Sequence, residues 1–99
     1  MTERKPTPGS LREATREVVV KNPLGIHARP AALLVRAASG FRSDITLEKN
    51  GQSVSAKSIM GVMSLAGYPG SKMLVRARGP DAEKAVEAVA ELFEKRFHE

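Results

Sequence analysis

Cysteine and tryptophan are absent from this 99-residue sequence, and it contains only three phenylalanines and one tyrosine. Without cysteine, disulfide bonds and thiolate metal sites are excluded. Because aromatic residues are scarce, the core has to be built mainly from alanine, valine, leucine, isoleucine and methionine. No apolar run is long enough to cross a membrane, and no apolar segment of the signal-peptide type is present near the N-terminus. We therefore expect a cytoplasmic protein without membrane insertion.

The net charge of +5 leaves three classes of partner open: a nucleic acid, an anionic ligand or an acidic protein. No run of basic residues is longer than two, and no row of aromatic residues is present that could stack on bases. We expect no nucleic-acid partner. A basic nucleic-acid binder stays as a minor alternative, and it would show the steep salt dependence of phosphate contacts.

Hydrophobic periodicity predicts seven elements in the order β-α-β-β-α-β-α. Strands are predicted over 15–22, 43–49, 52–56 and 71–78, and helices over 28–39, 58–66 and 81–97. This order predicts an α+β fold, an open-faced two-layer sandwich in which three helices cover one face of a four-stranded antiparallel sheet. Residues 1–14 contain two prolines and a glycine and show no period. We predict that they form a disordered tail before a single domain over 15–99.

The segment GIHARPA (25–31) places one of the two histidines, His27, directly before a predicted helix. One interpretation is that His27 only caps the helix or is merely exposed. The first turn of a helix, however, has free N–H groups and partial positive charge, and both favour a bound anion. Arg29 can donate charge-assisted hydrogen bonds to the same anion, and a neutral imidazole is a nucleophile. The pattern therefore favours a phosphorylated His27, with the phosphoryl oxygens near the N–H groups of Ala28 and Arg29.

Two other roles for His27 are weaker. A metal site needs further ligands, but His98 is near the C-terminus and no carboxylate is close to His27 in sequence. A hydrolytic triad needs a serine and an acid that the fold brings together, and the sequence has no nucleophile-elbow motif. The triad stays open at this point, because sequence spacing alone does not exclude it.

Two segments resemble one known family. NPLGIHARPAALLVRAA (22–38) is similar to the active-site segment of the HPr family, the histidine-containing phosphocarriers of the bacterial phosphoenolpyruvate-dependent sugar phosphotransferase system. KSIMGVMSLA (57–66) resembles the regulatory serine segment of the same family. The predicted order of strands and helices is also that of the HPr open-faced sandwich. The resemblance extends over about residues 15–97, and two motifs at the correct separation make it specific.

The resemblance implies a carrier of phosphoryl groups rather than an enzyme with its own turnover. His27 would accept the group on Nδ1 from the phosphohistidine of enzyme I and pass it to a histidine of an enzyme IIA domain. Arg29 matches the arginine of the active centre, and Asn22 matches a position that hydrogen-bonds within the active-site loop. Ser58 matches the serine that HPr kinase/phosphorylase phosphorylates. No cofactor and no metal are implied, and we expect a monomer.

Ser58 is also the predicted N-cap of the short helix, a role that by itself explains a serine there. The two roles are compatible, because a helix N-terminus tolerates the added negative charge of a phosphate. We expect phosphorylation of Ser58 to leave the fold intact. The added charge would repel acidic partners and slow transfer to His27.

The short helix also carries an apolar side that we expect to be exposed. Ile59, Met60 and Met63 lie on one side of it, whereas Val62 and Leu65 are assigned to the core. In the HPr family this side lies beside the histidine and docks partners, and methionine suits a surface that fits several partners. The expected docking residues are Ala32, Leu33, Arg36, Ile59, Met60, Met63 and Tyr68. Arg29 and Arg36 would contact acidic residues of the partners.

Two alternatives to sugar transport remain open. One is a regulatory carrier of the nitrogen-type or signalling branch, with the same chemistry at His27 but other final acceptors. The other is an interaction protein in which Ser58 matters and His27 is idle, although an idle site needs neither His27 nor Arg29.

Overall fold

The computed structural model describes residues 12–99, in which four strands and three α-helices follow the predicted order. The strands are β1 (Glu13–Val19), β2 (Asp44–Lys49), β3 (Gln52–Ser55) and β4 (Lys72–Arg78). The helices are α1 (Ala28–Ser39), α2 (Ile59–Ser64) and α3 (Ala82–Glu94), and a short 3-10 turn (Arg96–His98) follows α3. Residues 1–11 of the predicted tail lie outside the described residues, and the tail stays a prediction there. Glu13 and Ala14 already belong to β1, which begins two residues before its predicted start and ends at Val19.

The sheet has the strand order β1-β4-β2-β3, and its neighbouring strands are antiparallel. Burial alternates along the inner strand β4, where Met73, Val75 and Ala77 are buried and Lys72 and Arg76 are exposed. Such alternation is typical of a sheet with one face on the core and the other in solvent. The predicted α+β open-faced sandwich is therefore confirmed.

The hairpin between β2 and β3 turns at Asn50 and Gly51. Their φ angles are 52° and 82°, and positive φ at both central residues is the geometry that matches the twist of antiparallel strands. This turn places Leu47 opposite Val54, so that the apolar side chains of the two strands share a face.

The helices bury their apolar faces against the sheet and against one another. Helix α1 packs against α2 and α3, and it buries Ala31, Leu34 and Ala38. Helix α3 packs mainly against β1 and β4. Its buried residues are Ala82, Ala85, Val86, Val89, Ala90 and Phe93. A core of small aliphatic side chains, with few aromatic rings, is the one that the composition predicts.

The third helix ends earlier than predicted, at Glu94 rather than Phe97. Arg96, Phe97 and His98 have φ angles of 54°, 53° and 61°, which turn the chain out of the helical path. The side chain of Phe97 is fully buried, and its ring packs edge-to-face on Phe93 with centroids 4.9 Å apart. The left-handed turn lets Phe97 fold back onto the core, and it also redirects the last residue, Glu99.

Asp81 joins the start of α3 to the loop after α1. Its side chain does not cap α3 but accepts hydrogen bonds from the Ser43 hydroxyl at 2.6 Å and from the N–H groups of Arg42 and Ser43, each at 2.9 Å. These bonds lower the pKa of Asp81 to about 2, and the bond from the Ser43 hydroxyl contributes most. Asp81 therefore connects the start of α3 to the loop after α1, which is far from it in sequence.

Candidate functional site

His27 occupies the N-cap position of α1, with extended backbone angles of φ −93° and ψ −168°. Its side chain makes no capping hydrogen bond, so the interpretation of His27 as a simple helix cap is wrong. The imidazole is 37% exposed, which leaves it accessible to a partner. The fold therefore places a histidine ring at the positive end of a helix without using that ring to complete the helix.

The loop before His27 is held by a close approach of two backbone segments. The N–H of Ile26 donates to the carbonyl oxygen of Gly67 at 2.8 Å, and Ile26 is buried. Gly25 has a φ of +71°, and a Cβ atom there would lie 2.4 Å from the same carbonyl oxygen. Only glycine fits both constraints. This contact fixes the direction in which the chain reaches His27.

The first turn of α1 presents N–H groups that the helix does not use. The first helical hydrogen bond runs from the N–H of Ala31 to the carbonyl oxygen of His27 at 3.0 Å. Within residues 12–99, the N–H groups of Ala28 and Arg29 have no acceptor, and Pro30 has no N–H to satisfy. The first turn carries no acidic residue, and the exposed Arg29 forms no ion pair within the described part of the chain. The region beside His27 is therefore electropositive and has donors for an anion.

A carboxylate that the sequence analysis missed lies against the His27 ring. Oε2 of Glu99 is 3.0 Å from Nε2 of His27, and its Oε1 is 3.4 Å from the same nitrogen. The amide Nδ2 of Asn22 donates to Oε1 of Glu99 at 2.8 Å and to the carbonyl oxygen of Arg96 at 3.0 Å. The hydrogen bond from Asn22 is the main cause that lowers the pKa of the Glu99 carboxyl, and the proximity of His27 and Arg29 lowers it further. Glu99 is thus an anion fixed beside His27.

Asn22 is fully buried, as suits a residue that supports the loop. Its side chain reaches the C-terminal segment, whereas its own carbonyl oxygen accepts from the N–H of Gly25 at 3.0 Å. Asn22 therefore ties the loop before His27 to Arg96 and Glu99. The predicted supporting role of Asn22 stays a prediction, although these contacts are of the expected kind.

Other chemistry at His27 finds little support in the described residues. No group of three or more His, Cys, Asp or Glu side chains that could hold a metal ion occurs within residues 12–99. The polar contact of the His27 ring in that range is with Glu99, and it involves no serine hydroxyl. The arrangement needed for a hydrolytic triad is therefore not formed there.

Helix α2 and the segment after it present an exposed apolar surface, which we call the apolar patch: Ile59, Met60 and Met63 of the helix and Tyr68 beyond it. Their exposed fractions are 44%, 81%, 41% and 67%. Val62 and Leu65 are buried, as predicted. The ammonium group of Lys49 lies 5.1 Å from the centre of the Tyr68 ring and also donates to the carbonyl oxygens of Leu65 and Ala66, which directly follow α2.

The predicted N-cap at Ser58 is confirmed, because its Oγ accepts from the N–H of Gly61 at 3.0 Å. On the neighbouring helix α1, Ala32 and Arg36 are exposed and Leu33 is half-buried. Leu24, which the sequence analysis did not single out, is 78% exposed three residues before His27. Its place inside the Pro23–Gly25 turn, where a side chain has little to pack against, was the available signal.

The described sequence and geometry are matched by known proteins. The family model described as "PTS HPr component phosphorylation site" matches residues 14–95. The chain belongs to the HPr family. It is 51% identical to a phosphocarrier protein HPr of Xylella fastidiosa over 83 residues, which cover 84% of this chain and 93% of that protein. It is 49% identical to HPr of Treponema pallidum over 82 residues, with 83% and 93% of the two chains covered.

A solved HPr structure from Thermoanaerobacter tengcongensis has the same fold, with a TM-score of 0.81 and 46% identity. The match covers 90% of this chain and 98% of that one. Membership of the HPr family makes the chain a phosphocarrier of the phosphotransferase system rather than an enzyme. Its partners accordingly belong to that system. None of the helices in residues 12–99 combines the length and the hydropathy needed to span a bilayer.

Proposed function

We propose that His27 accepts a phosphoryl group on Nδ1 from the phosphohistidine of enzyme I and passes it to a histidine of an enzyme IIA domain. The observation that carries this proposal is the position of His27 at the N-cap of α1. Its ring makes no capping hydrogen bond, and the next two N–H groups, those of Ala28 and Arg29, have no acceptor within the described chain. The oxygens of an incoming phosphoryl group would accept hydrogen bonds from these N–H groups.

The transfer is a displacement at phosphorus that depends on positioning and electrostatics. The lone pair of Nδ1 forms a new N–P bond while the N–P bond of the donor breaks, and the donor imidazole keeps that electron pair. The phosphoryl oxygens are met by the N–H groups of Ala28 and Arg29 and by the Arg29 guanidinium. Two N–H groups and one guanidinium hold the group modestly, so that a second partner can remove it.

The apolar patch is the proposed docking surface for both partners, together with Ala32, Leu33 and Arg36 of α1. Helices α1 and α2 pack against each other, which supports a docking surface that includes residues of both helices. Methionine side chains adapt to different partner surfaces, and Arg29 and Arg36 add positive charge that speeds encounter with acidic partners. We expect the carrier to act as a monomer, which sedimentation would check.

Phosphorylation of Ser58 by an HPr kinase/phosphorylase is the proposed regulation. Ser58 is only half-buried, and its Oγ lies at the beginning of the helix that carries Ile59 and Met60. A phosphate there would add about −1.5 to −2 charges beside the apolar patch. Docking of acidic partners would then weaken while the fold persists.

The regulation is tested with Ser58→Asp and with Ser58→Asn as its matched control. Asparagine also caps helices well but brings no charge. We expect Ser58→Asp to slow phosphorylation by enzyme I and Ser58→Asn to leave the rate near that of the wild type. Equal rates in the two variants would argue against an electrostatic switch.

The carrier function is tested by incubation with enzyme I and phosphoenolpyruvate, followed by addition of an enzyme IIA domain. We expect the wild type to take up one acid-labile phosphoryl group and to lose it to enzyme IIA. His27→Ala should take up none, whereas His98→Ala, which removes the only other histidine, should behave like the wild type. Label that persists in His27→Ala would overturn the proposal.

A further inference from the structure

Tyr68, the only tyrosine of the chain, lies against the ammonium group of Lys49, a residue of strand β2. We propose that Tyr68 determines partner specificity by donating a hydrogen bond from its hydroxyl to a carboxylate of the docked partner, and that Lys49 is the positioning residue for its ring. This inference rests on the proposed function, because it concerns the proteins that exchange the phosphoryl group with His27. The contact between Lys49 and Tyr68 can be measured without any partner.

Tyr68 lies close to His27 because one backbone hydrogen bond joins their two segments. The N–H of Ile26 donates to the carbonyl oxygen of Gly67 at 2.8 Å. His27 directly follows Ile26 and Tyr68 directly follows Gly67, so each is the next residue after a partner in this bond. Gly67 is buried, and a Cβ atom there would lie 2.7 Å from Cγ1 of Ile26, which shows how tightly the two segments pack. A partner that reaches the imidazole therefore also approaches Tyr68.

Lys49 is fixed to the chain directly before Tyr68. Its ammonium group donates to the carbonyl oxygen of Leu65 at 3.1 Å and to that of Ala66 at 2.6 Å. The carbonyl oxygen of Ala66 also accepts from the N–H of Tyr68 at 2.9 Å. A cation that lies within about 6 Å of the centre of an aromatic ring attracts the face of that ring. Because Lys49 is held by two hydrogen bonds, it orients a tyrosine that is otherwise 67% exposed.

The chemistry of this pair fits a carboxylate. None of the hydrogen bonds within residues 12–99 uses the Tyr68 hydroxyl, which can donate one. Lys49 forms no ion pair with a carboxylate in that part of the chain. A hydroxyl donor and a cation at one place favour an anionic acceptor. The other members of the apolar patch, Ile59, Met60 and Met63, are apolar, so Tyr68 and Lys49 add a polar requirement to it.

The contact between Lys49 and Tyr68 is tested by 19F spectroscopy of the full chain. Because the sequence has a single tyrosine, labelling with 3-fluorotyrosine gives one resonance that reports only Tyr68. Lys57→Met is the matched control, because the Lys57 ammonium group also donates to a main-chain carbonyl, that of Phe41 at 2.8 Å. We expect Lys49→Met to shift the resonance, and Lys49→Arg and Lys57→Met to leave it near that of the wild type. An unshifted resonance in Lys49→Met would overturn the positioning role.

Enzyme I is the probe for the partner contact. Its affinity for each variant is measured by calorimetry without phosphoenolpyruvate, and kcat and KM are then measured with it. We expect Tyr68→Phe, which removes only the hydroxyl, to raise the dissociation constant and KM about tenfold, as for the loss of a hydrogen bond to a charged group. Lys49→Met should raise both about threefold and Lys49→Arg should restore them. Neither residue touches the reacting atoms, so kcat should not change.

Affinity and KM at the wild-type level in Tyr68→Phe would overturn the proposal, as would a loss of kcat without a loss of affinity. Absence of binding between enzyme I and the wild type would overturn it as well. If enzyme I binds the protein but phosphorylates no form of it, the carrier proposal fails. The affinities and the 19F spectra then still decide the roles of Tyr68 and Lys49.

Discussion

Replacing Gly25 by alanine should destabilise the protein and also misplace His27. At a φ of +71°, an alanine costs about 1–2 kcal/mol in backbone strain. Its Cβ would also lie 2.4 Å from the carbonyl oxygen of Gly67, a backbone atom that cannot rotate away. Separation of the two segments breaks the hydrogen bond from Ile26 to Gly67, worth about 1 kcal/mol. We therefore expect a loss of about 3 kcal/mol in the free energy of unfolding.

Gly51→Ala is the matched control for this prediction. Gly51 has a similar φ of +82°, but a Cβ atom there would meet nothing within 4 Å. Only the strain of about 1–2 kcal/mol should appear. Denaturant unfolding of both variants gives the two losses, and phosphorylation by enzyme I, measured where both are folded, should slow only in Gly25→Ala. Equal losses of stability in the two variants, with equal rates, would refute the argument that the contact with Gly67 positions His27.

Three further predictions concern stability. Because the pKa of Asp81 is lowered to about 2, with the Ser43 hydroxyl as the main cause, its stabilising contribution is complete above about pH 4 and is lost as the pH falls toward 2. Unfolding midpoints measured between neutral pH and pH 2 should therefore fall less steeply in Asp81→Asn than in the wild type, and parallel curves would contradict this. Ser58→Ala should cost about 1 kcal/mol through loss of the cap on α2, which lowers Tm by about 4–8 °C; an unchanged Tm would show that the cap is dispensable. Phe97→Ala should lower the free energy of unfolding by about 3–5 kcal/mol, and it should slow phosphorylation of His27 because the last turn loses its buried side chain. Normal phosphorylation of the folded variant would show that burial of Phe97 is not needed to position the site.

Much of the fold follows from local patterns in the sequence. The residues of α1 could be predicted because Pro30 lies in the first turn, where proline is tolerated, and Leu34 and Ala38 recur at helical spacing. The hairpin followed from Asn50-Gly51, which are the residues that a two-residue turn with positive φ requires. His27 and Arg29 could be identified as a candidate anion site for a similar reason. Both lie at the beginning of a helix, so residues that are close in sequence suffice to indicate the site.

Long-range contacts account for what the sequence did not reveal. The end of α3 was placed too late because periodicity continues through Phe97, whereas burial of that ring requires a left-handed turn. Glu99 was missed because it is far from His27 in sequence and is brought there by Phe97 and Asn22. A phenylalanine close to the C-terminus was the one signal that this end packs onto the domain. Likewise, only the fold shows that Asp81 binds the loop after α1.

We propose that Nδ1 of His27 carries the phosphoryl group. This proposal is tested most directly by phosphorylating the 15N-labelled protein with enzyme I and phosphoenolpyruvate and recording 31P and 15N spectra of the product. We predict one phosphorus resonance, coupled to Nδ1 of His27. A phosphoryl group found on Nε2 of His27, on His98 or on Ser58 under these conditions would contradict it.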